Sequence, residues 1–425
     1  MAFVRYENVN KIKQLAYSYW RLTVIRMNYS PSDYRNHCIS WNFQTFYRTI
    51  WRLLNAWSVI VAMIVTLFSL INEDFLFNLN DLQRVTNINR IDLLAYESII
   101  LCLINENLWF CLCKRVLNYH SSFDDILSGL RTYSERRLSK KYSKLLCHYF
   151  TIWNTIFMSL IDFLTLIIII TIPMSTYVSF KLYQNGQINM IKFILFIIIY
   201  LLGSSHTNFL VQLLLTIGNF LLFFTKFLEL RFLQLVRLME FVIRQKRILR
   251  LKMFIQWHHF QIGYVRCFDE LSKFNQTAKT LFFFGEIINK TATIFVCLFY
   301  SKQIDMNLFS SSCVLVAIII FVLMNYVYYR LAKLPSYNRY CYRLILSWFV
   351  RIQTFDDRSI KRLGLYRQHR SRFWLKTNFF LQTMMTNHFG FTCGNLFIID
   401  KFKNFELLLV NLPWIMLFYK KICLA

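Results

Sequence analysis

The sequence predicts an all-α membrane protein with seven transmembrane helices, its N-terminus in the cytoplasm and its C-terminus outside. Three observations carry that prediction. First, 56% of the 425 residues are hydrophobic and 18% aromatic, with only 9 Gly and 4 Pro, too few charges and turn-formers for a soluble chain of this length. Second, the apolar residues gather in blocks close to the ~20 residues that a bilayer-crossing helix needs. Third, the basic residues behind the formal net charge of +27 sit almost entirely in alternate connections between those blocks. A basic balance of that size also suits nucleic acid, but the alternation is the mark of orientation in a membrane, so no nucleic-acid partner is expected.

The blocks follow in order. Residues 1–50 form a cytoplasmic N-terminal segment with Arg5, Lys11, Lys13, Arg21, Arg26 and Arg35. It holds no apolar run ending in a small-residue cleavage site, so the first block serves as an uncleaved anchor. Span 1 is Leu53–Ile71, uncharged and flanked by Arg48 and Arg52; span 2, Ile91–Cys113, is weaker and contains Glu97 and Glu106. Span 3 runs from about Phe150 to Tyr177 and is expected to end near Pro173. Span 4, Ile191–Phe224, exceeds one crossing at ~1.5 Å per residue, which predicts its continuation as a helix into the cytoplasm. Span 5 is Leu281–Tyr300 and span 6 Ser311–Tyr329. Span 7, Phe405–Tyr419, is apolar apart from Glu406, Asn411 and the kinking Pro413.

Charge counts orient these spans. Residues 114–147 hold eight basic residues against three acidic, 225–280 eleven against four, and 330–390 twelve against two. The connection 72–90 has Glu73, Asp74 and Asp81 against Arg84 and Arg90, and those after spans 3 and 5 are short and nearly uncharged. Every basic connection therefore belongs inside, the reverse of a G-protein-coupled receptor. The domain division that follows is spans 1–6 over 51–329, a cytoplasmic anchor segment 330–394, and span 7 with a short outer tail over 395–425.

The sequons Asn28-Tyr-Ser, Asn275-Gln-Thr and Asn289-Lys-Thr fall in cytoplasmic or membrane regions, out of reach of glycosylation. The basic segments also carry apolar residues at helical spacing, as in Leu228, Phe232, Leu235, Leu238/Met239 and Val242. Two arrangements fit that pattern: helices lying on the inner headgroups, or helices packed together as a cytoplasmic anchor domain. The eleven Cys lack the spacing of a disulfide framework; Cys111-Leu112-Cys113 has no second pair to complete a metal site, and His258-His259 reads as a polar helix end. No metal, cofactor or catalytic residue is expected, because the chain has no nucleotide-binding Gly-rich loop, HExxH or nucleophile elbow.

Ionisable groups inside spans are costly and so draw attention. Glu286 and Lys290 lie four apart on one face of span 5, where they can neutralise each other. Glu106 (with Asn105 and Asn107) in span 2, Asp162 in span 3 and His206 in span 4 show no partner in the sequence. Their expected roles are helix-to-helix hydrogen bonds or contact with water in an outward-facing cavity.

The stretch from His388 to Asp400, followed by an apolar helix, resembles the insect gustatory receptor family of the insect chemoreceptor superfamily. That family typically shows Gly-x-Phe-x-hydrophobic-Asp before its last span; Gly394, Phe397, Ile399 and Asp400 come close to it, shifted by one. Its length, inverted spans and basic segments after span 4 and before span 7 agree over almost the whole chain. The end departs from the pattern: the dipeptides expected to flank the last five hydrophobic residues fall at Pro413-Trp414 and Lys420-Lys421, and neither matches.

The resemblance implies a plasma-membrane, ligand-gated, non-selective cation channel opened by a small-molecule tastant, a homotetramer or a heterotetramer with related receptors. The alternative is a non-conducting seven-span receptor or accessory subunit that needs a related partner. Under the resemblance, the seventh helices line the pore, which nominates Leu408, Asn411, Leu412, Ile415, Phe418 and Tyr419, whose apolar rings gate by dewetting. The ligand pocket falls in the outer halves of spans 2 to 6, where Tyr96, Glu97, Tyr177, Tyr200 and Tyr300 are the candidate wall residues.

Overall fold

A computed structural model describes residues 43–68, 96, 99–100, 102–104, 106–107, 138–244, 250–300, 308–359, 367–387, 389–407 and 409. These are almost entirely helical: α1 (Phe43–Phe68), α2 (Lys140–Gln184), α3 (Met190–Arg244), α4 (Arg250–Tyr300), α5 (Leu308–Leu331), α6 (Lys333–Ser359) and α7 (Arg367–Thr386), then a two-stranded hairpin of β1 (Thr392–Cys393) and β2 (Phe397–Ile398). Residues 401–407 begin another helix. Three described stretches are long and apolar enough to cross a membrane, Lys141–Gln184, Met190–Phe241 and Val314–Val350, and Ile50–Ile64 is a shorter apolar helix.

The antiparallel pair α2 and α3 forms the spine. Phe150 stacks edge-on against Phe223 with centroids 4.8 Å apart, Asn219 Nδ2 donates to Asn154 Oδ1 at 3.3 Å, and Thr165 Oγ1 donates to Asn208 Oδ1 at 2.9 Å, so partners run in opposite order along the two helices. A tight turn joins them. The Gly186 N–H bonds Tyr183 O and the Gln187 N–H bonds Leu182 O, each at 3.0 Å, which satisfies the last carbonyls of α2 in a Schellman motif. Gly186 has φ 69, a left-handed conformation that glycine adopts without strain.

α2 does not stop at Pro173, as the sequence reading expects, but continues to Gln184. Pro173 removes one backbone donor, a loss that membrane helices tolerate when neighbours re-satisfy the backbone. The carbonyl that loses its in-helix donor is that of Ile169; the nearby hydroxyls go elsewhere, Thr171 Oγ1 to Ile168 O at 2.7 Å and Thr176 Oγ1 to Ile172 O at 2.9 Å. Past the proline, Phe180 and Tyr183 pack on Phe193 of α3, which gives the extra turns an apolar partner.

α3 runs unbroken for 55 residues, as the length of span 4 predicts. Its basic end is packed against other helices rather than lying alone. Leu228, Phe232 and Met239 are fully buried, in one core with Trp257, Phe260 and Tyr264 of α4 and Ile345 and Trp348 of α6. Trp257 is the hub, with centroids 5.2 Å from Trp348 and 5.6 Å from Phe380 of α7. Tyr264 donates its hydroxyl to Asn338 Oδ1 at 3.0 Å, and Asn338 Nδ2 in turn donates to Met384 O at 3.3 Å, so α4, α6 and α7 share one buried polar chain. Arg231 of α3 pairs with Glu270 of α4 inside the same layer.

Candidate functional site

Three places in the fold concentrate chemistry. The first is at the turn end of α2 and α3. These helix ends form their own small core, in which Ile188 and Phe196 are buried against Val178, Leu182, Phe193 and Tyr200, separate from the main one. Beside it lies a groove of about 510 Å³ walled by Ile172, Pro173, Thr176, Tyr177, Phe180 and Phe193. The Thr176 hydroxyl is turned back to its own helix, so the polar groups left to face a ligand include the Tyr177 phenol, whose residue is 66% exposed. Of the other candidate wall residues, Tyr200 is half-buried nearby and reaches Ser175, while Tyr96 is exposed. Glu97 lies outside the described residues, as does the side chain of Tyr300.

The second place joins α1, span 2 and α3. Arg52, read from the sequence as a flanking cation, is instead buried and pairs with Glu106. Its guanidinium lies 4.9 Å from the Phe209 ring, and one turn on Asn55 Nδ2 donates to Ser205 Oγ at 3.4 Å beside the buried His206. A buried carboxylate or guanidinium is expensive alone, and pairing is what allows both inside an apolar helix bundle. Glu106 and His206 thus have a shared neighbour that the sequence hides, since Arg52 and Glu106 are 54 residues apart. Asp162 stays on the exposed face of α2, away from this cluster.

The third place is the hairpin that precedes the last helix. Gly394 sits at its turn with φ 57, and its N–H donates to the Lys279 carbonyl of α4 at 2.8 Å. A Cβ there would touch Phe283 at 3.4–3.6 Å, on a backbone that L side chains rarely adopt. Asn275 Oδ1 accepts from Thr392 N at 2.9 Å, Asn275 Nδ2 donates to Thr392 Oγ1 at 3.2 Å, and Lys279 Nζ donates to Asn395 Oδ1 at 3.2 Å. Phe391 is wedged between Phe274 and Phe282, and Ile399 N donates to Phe391 O at 2.8 Å with Ile399 itself fully buried. Phe397 lies in β2 under Lys403, 5.2 Å from its Nζ. Asp400 then caps the helix that follows: its Oδ1 accepts from Lys403 N at 2.8 Å, and its carbonyl accepts from Asn404 N at 2.9 Å.

The four motif positions therefore have separate physical jobs: a left-handed turn, an edge aromatic, a core plug and a helix cap. Sequence reasoning missed Asn275 and Lys279; the only signal was the sequon Asn275-Gln-Thr, set aside as out of reach of glycosylation. Close by, Glu286 is buried beside Tyr328 and Cys393, and exposed Lys290 approaches it to 3.8 Å, the i, i+4 pairing expected of them. The pore candidates Asn411, Leu412, Ile415, Phe418 and Tyr419, and Leu408 before them, lie outside the described residues. Among the described residues no cluster of His, Cys, Asp and Glu is arranged to hold a metal.

No protein-family model and no curated protein sequence matches this chain. Solved structures do. The fold is similar to that of the insect olfactory receptor OR5 from Machilis hrabei, with a TM-score of 0.59 at 10% identity over 96% of this chain and 97% of that one. It is similar also to the same receptor in complex with eugenol, with a TM-score of 0.62 at 8% identity over 98% and 99% of the two chains. The likeness thus extends over almost the whole length of both chains and is one of fold.

Proposed function

We propose that this chain is a gustatory-receptor-like chemosensory receptor of the plasma membrane, a subunit of a ligand-gated non-selective cation channel opened by small-molecule tastants. The observation that carries the reading is the end-to-end fold likeness to an insect olfactory receptor, one structure of which holds the small aromatic molecule eugenol. It is joined by the motif Gly394, Phe397, Ile399 and Asp400, whose residues build the entry to the last helix. In this reading the chain crosses the bilayer seven times with its N-terminus inside, and four copies, identical or mixed with relatives, surround a pore. Leu408, Asn411, Leu412, Ile415, Phe418 and Tyr419 line that pore. Tyr96, Glu97, Tyr177, Tyr200 and Tyr300 belong to the outer ligand-binding region, with the Tyr177 groove as one wall.

The test has two arms. Epitope tags on intact cells should hide the N-terminus and expose the C-terminus; a stained N-terminus on unpermeabilised cells refutes the orientation. Cells expressing the chain, alone and with related receptors, should show cation current on exposure to a tastant panel, and substitution of Asn411 should alter permeability while leaving half-maximal ligand concentration unchanged. Absence of current in every combination refutes the channel. Current only with a relative favours the second reading, an accessory subunit, which the departures at Pro413-Trp414 and Lys420-Lys421 motivate.

A further inference from the structure

The basic connection between spans 2 and 3 ends in Arg136-Arg137-Leu138-Ser139, immediately followed by Lys140-Lys141-Tyr142-Ser143. Each stretch places two cations three and two residues before a serine hydroxyl. That is the pattern bound by protein kinases whose substrate cleft is acidic, where each guanidinium pairs with a carboxylate in two parallel hydrogen bonds. The structure separates the two serines. Ser143 is buried in the first turn of α2, its N–H bonded to Ser139 O at 2.9 Å. Ser139 is half-exposed and precedes the helix in extended conformation (φ −66, ψ 157), and its side chain makes no capping bond although it holds the N-cap position.

What surrounds that non-capping hydroxyl suits a phosphate. The first turn of α2 contains no acidic residue and the helix opens with lysines, of which Lys141 and Lys144 are exposed. Cations at a helix N-terminus add to the positive end of its dipole, the unfavourable sign. From α3, Gln234 Oε1 accepts the Ser139 N–H at 3.0 Å, and one turn further Arg237 lies 5.3 Å from the ring of Tyr142. Glu240, the next acid along that face, is engaged by the Tyr340 hydroxyl at 3.0 Å. A dianion at Ser139 would therefore meet helix N–H groups, Lys141 and Arg237, and would reverse an electrostatic fault in the unmodified chain.

We propose that Ser139 is a phosphorylation site for a basic-directed serine/threonine kinase using a nucleoside triphosphate. The bond from the γ-phosphorus to the β-phosphate oxygen breaks, a bond from that phosphorus to Ser139 Oγ forms, the diphosphate leaves and the hydroxyl proton passes to the kinase's base. The proposal rests on the inward orientation of this connection, where nucleoside triphosphate is available. It would act on the inner end of α2, the helix whose other end carries the Tyr177 groove.

The experiment uses the full-length receptor in detergent micelles, where both faces are open, with the catalytic subunit of such a kinase and MgATP. Mass spectrometry should find phosphate on Ser139 and not on Ser143. The double variant Arg136→Gln/Arg137→Gln should lose about tenfold or more in initial rate, the worth of at least one charge-assisted pair. Amide exchange over residues 140–145 should slow in the modified protein. No phosphate on Ser139 in micelles, or an undiminished rate in the arginine variant, overturns the proposal whichever way the chain sits in a membrane. Labelling of intact cells by kinase and MgATP added outside would place this connection outside; that overturns the orientation, and with it the modification in the cell.

Discussion

Glu229 of α3 is the most heavily shared acidic side chain among the described residues, and its replacement tests the packing of four helices at once. Its Oε2 accepts from Arg330 of α5 at 2.7 Å and from Lys226 at 3.2 Å, and its Oε1 accepts from the Tyr337 hydroxyl of α6 at 3.4 Å. The ring of Tyr149 on α2 lies 5.5 Å from the Lys226 ammonium and 5.6 Å from the Arg330 guanidinium. The side chains of Glu229 and Arg330 are only 8% and 11% exposed, so solvent screens them little. Glu229→Leu leaves two adjacent, largely buried cations without a counter-charge, a fault worth about 3–5 kcal/mol. At roughly 2 °C per kcal/mol for a large chain, the apparent melting temperature should fall by about 6–10 °C. The assay is the monodisperse fraction of detergent-solubilised protein by size exclusion after stepwise heating. Glu229→Leu/Arg330→Leu should recover part of the loss, because an apolar pair of similar volume replaces the buried ion pair at little cost while Lys226 alone is left without its carboxylate. A single variant that melts within about 2 °C of the parent, or a double variant no better than the single, refutes the assignment of Glu229 as the hub.

Three further outcomes follow from the geometry. Asp400→Ala should cost about 1 kcal/mol by removing the cap on Lys403 N, while Asp400→Asn keeps most of it, read by the same melting assay. Cys267 and Cys341 are fully buried, and burial pushes their thiols up to about 11 and about 12. Thiolate forms at them only as pH rises toward those values, so maleimide at pH 8 should label them about a hundredfold or more slowly than a free thiol until denaturant is added. Tyr177→Ala should raise the half-maximal tastant concentration roughly tenfold through lost aromatic contact, with no change in melting because the side chain is largely exposed; an unchanged dose response removes the groove from the ligand-binding region.

What the sequence discloses about this fold is what local pattern encodes. The excess length of span 4 becomes the unbroken α3, and the i, i+4 spacing of Glu286 and Lys290 becomes a 3.8 Å contact. The failures share a cause as well. Pro173 reads as a stop because its effect is local, while the compensation that carries α2 onward comes partly from Phe193 on another helix. Arg52 reads as a flanking charge because its partner Glu106 lies far away in sequence. Asn275 looks like a sequon with no use, and its real partner Thr392 lies 117 residues on. Pairings of that kind depend on which helices become neighbours, and hydrophobic period alone does not encode it.

The hairpin shows how a short motif can act through the elements it joins. Four polar bonds tie it to α4: Gly394 N to Lys279 O, Thr392 N and Oγ1 to the Asn275 amide, and Lys279 Nζ to Asn395 Oδ1. Burying Phe391 between Phe274 and Phe282 adds about 1.5–3 kcal/mol, and each buried bond about 0.5–1.5 kcal/mol. Coupling energies between sites in allosteric proteins are about 1–3 kcal/mol. The attachment is therefore stronger than the signal it would have to carry, so a shift of α4 moves the hairpin with it rather than detaching it. Asp400 passes that displacement directly to the helix it caps, which under the proposed function leads into the pore. Stiffness at this joint, more than any contact within span 7, would then determine how much of the ligand's differential binding energy reaches the gate.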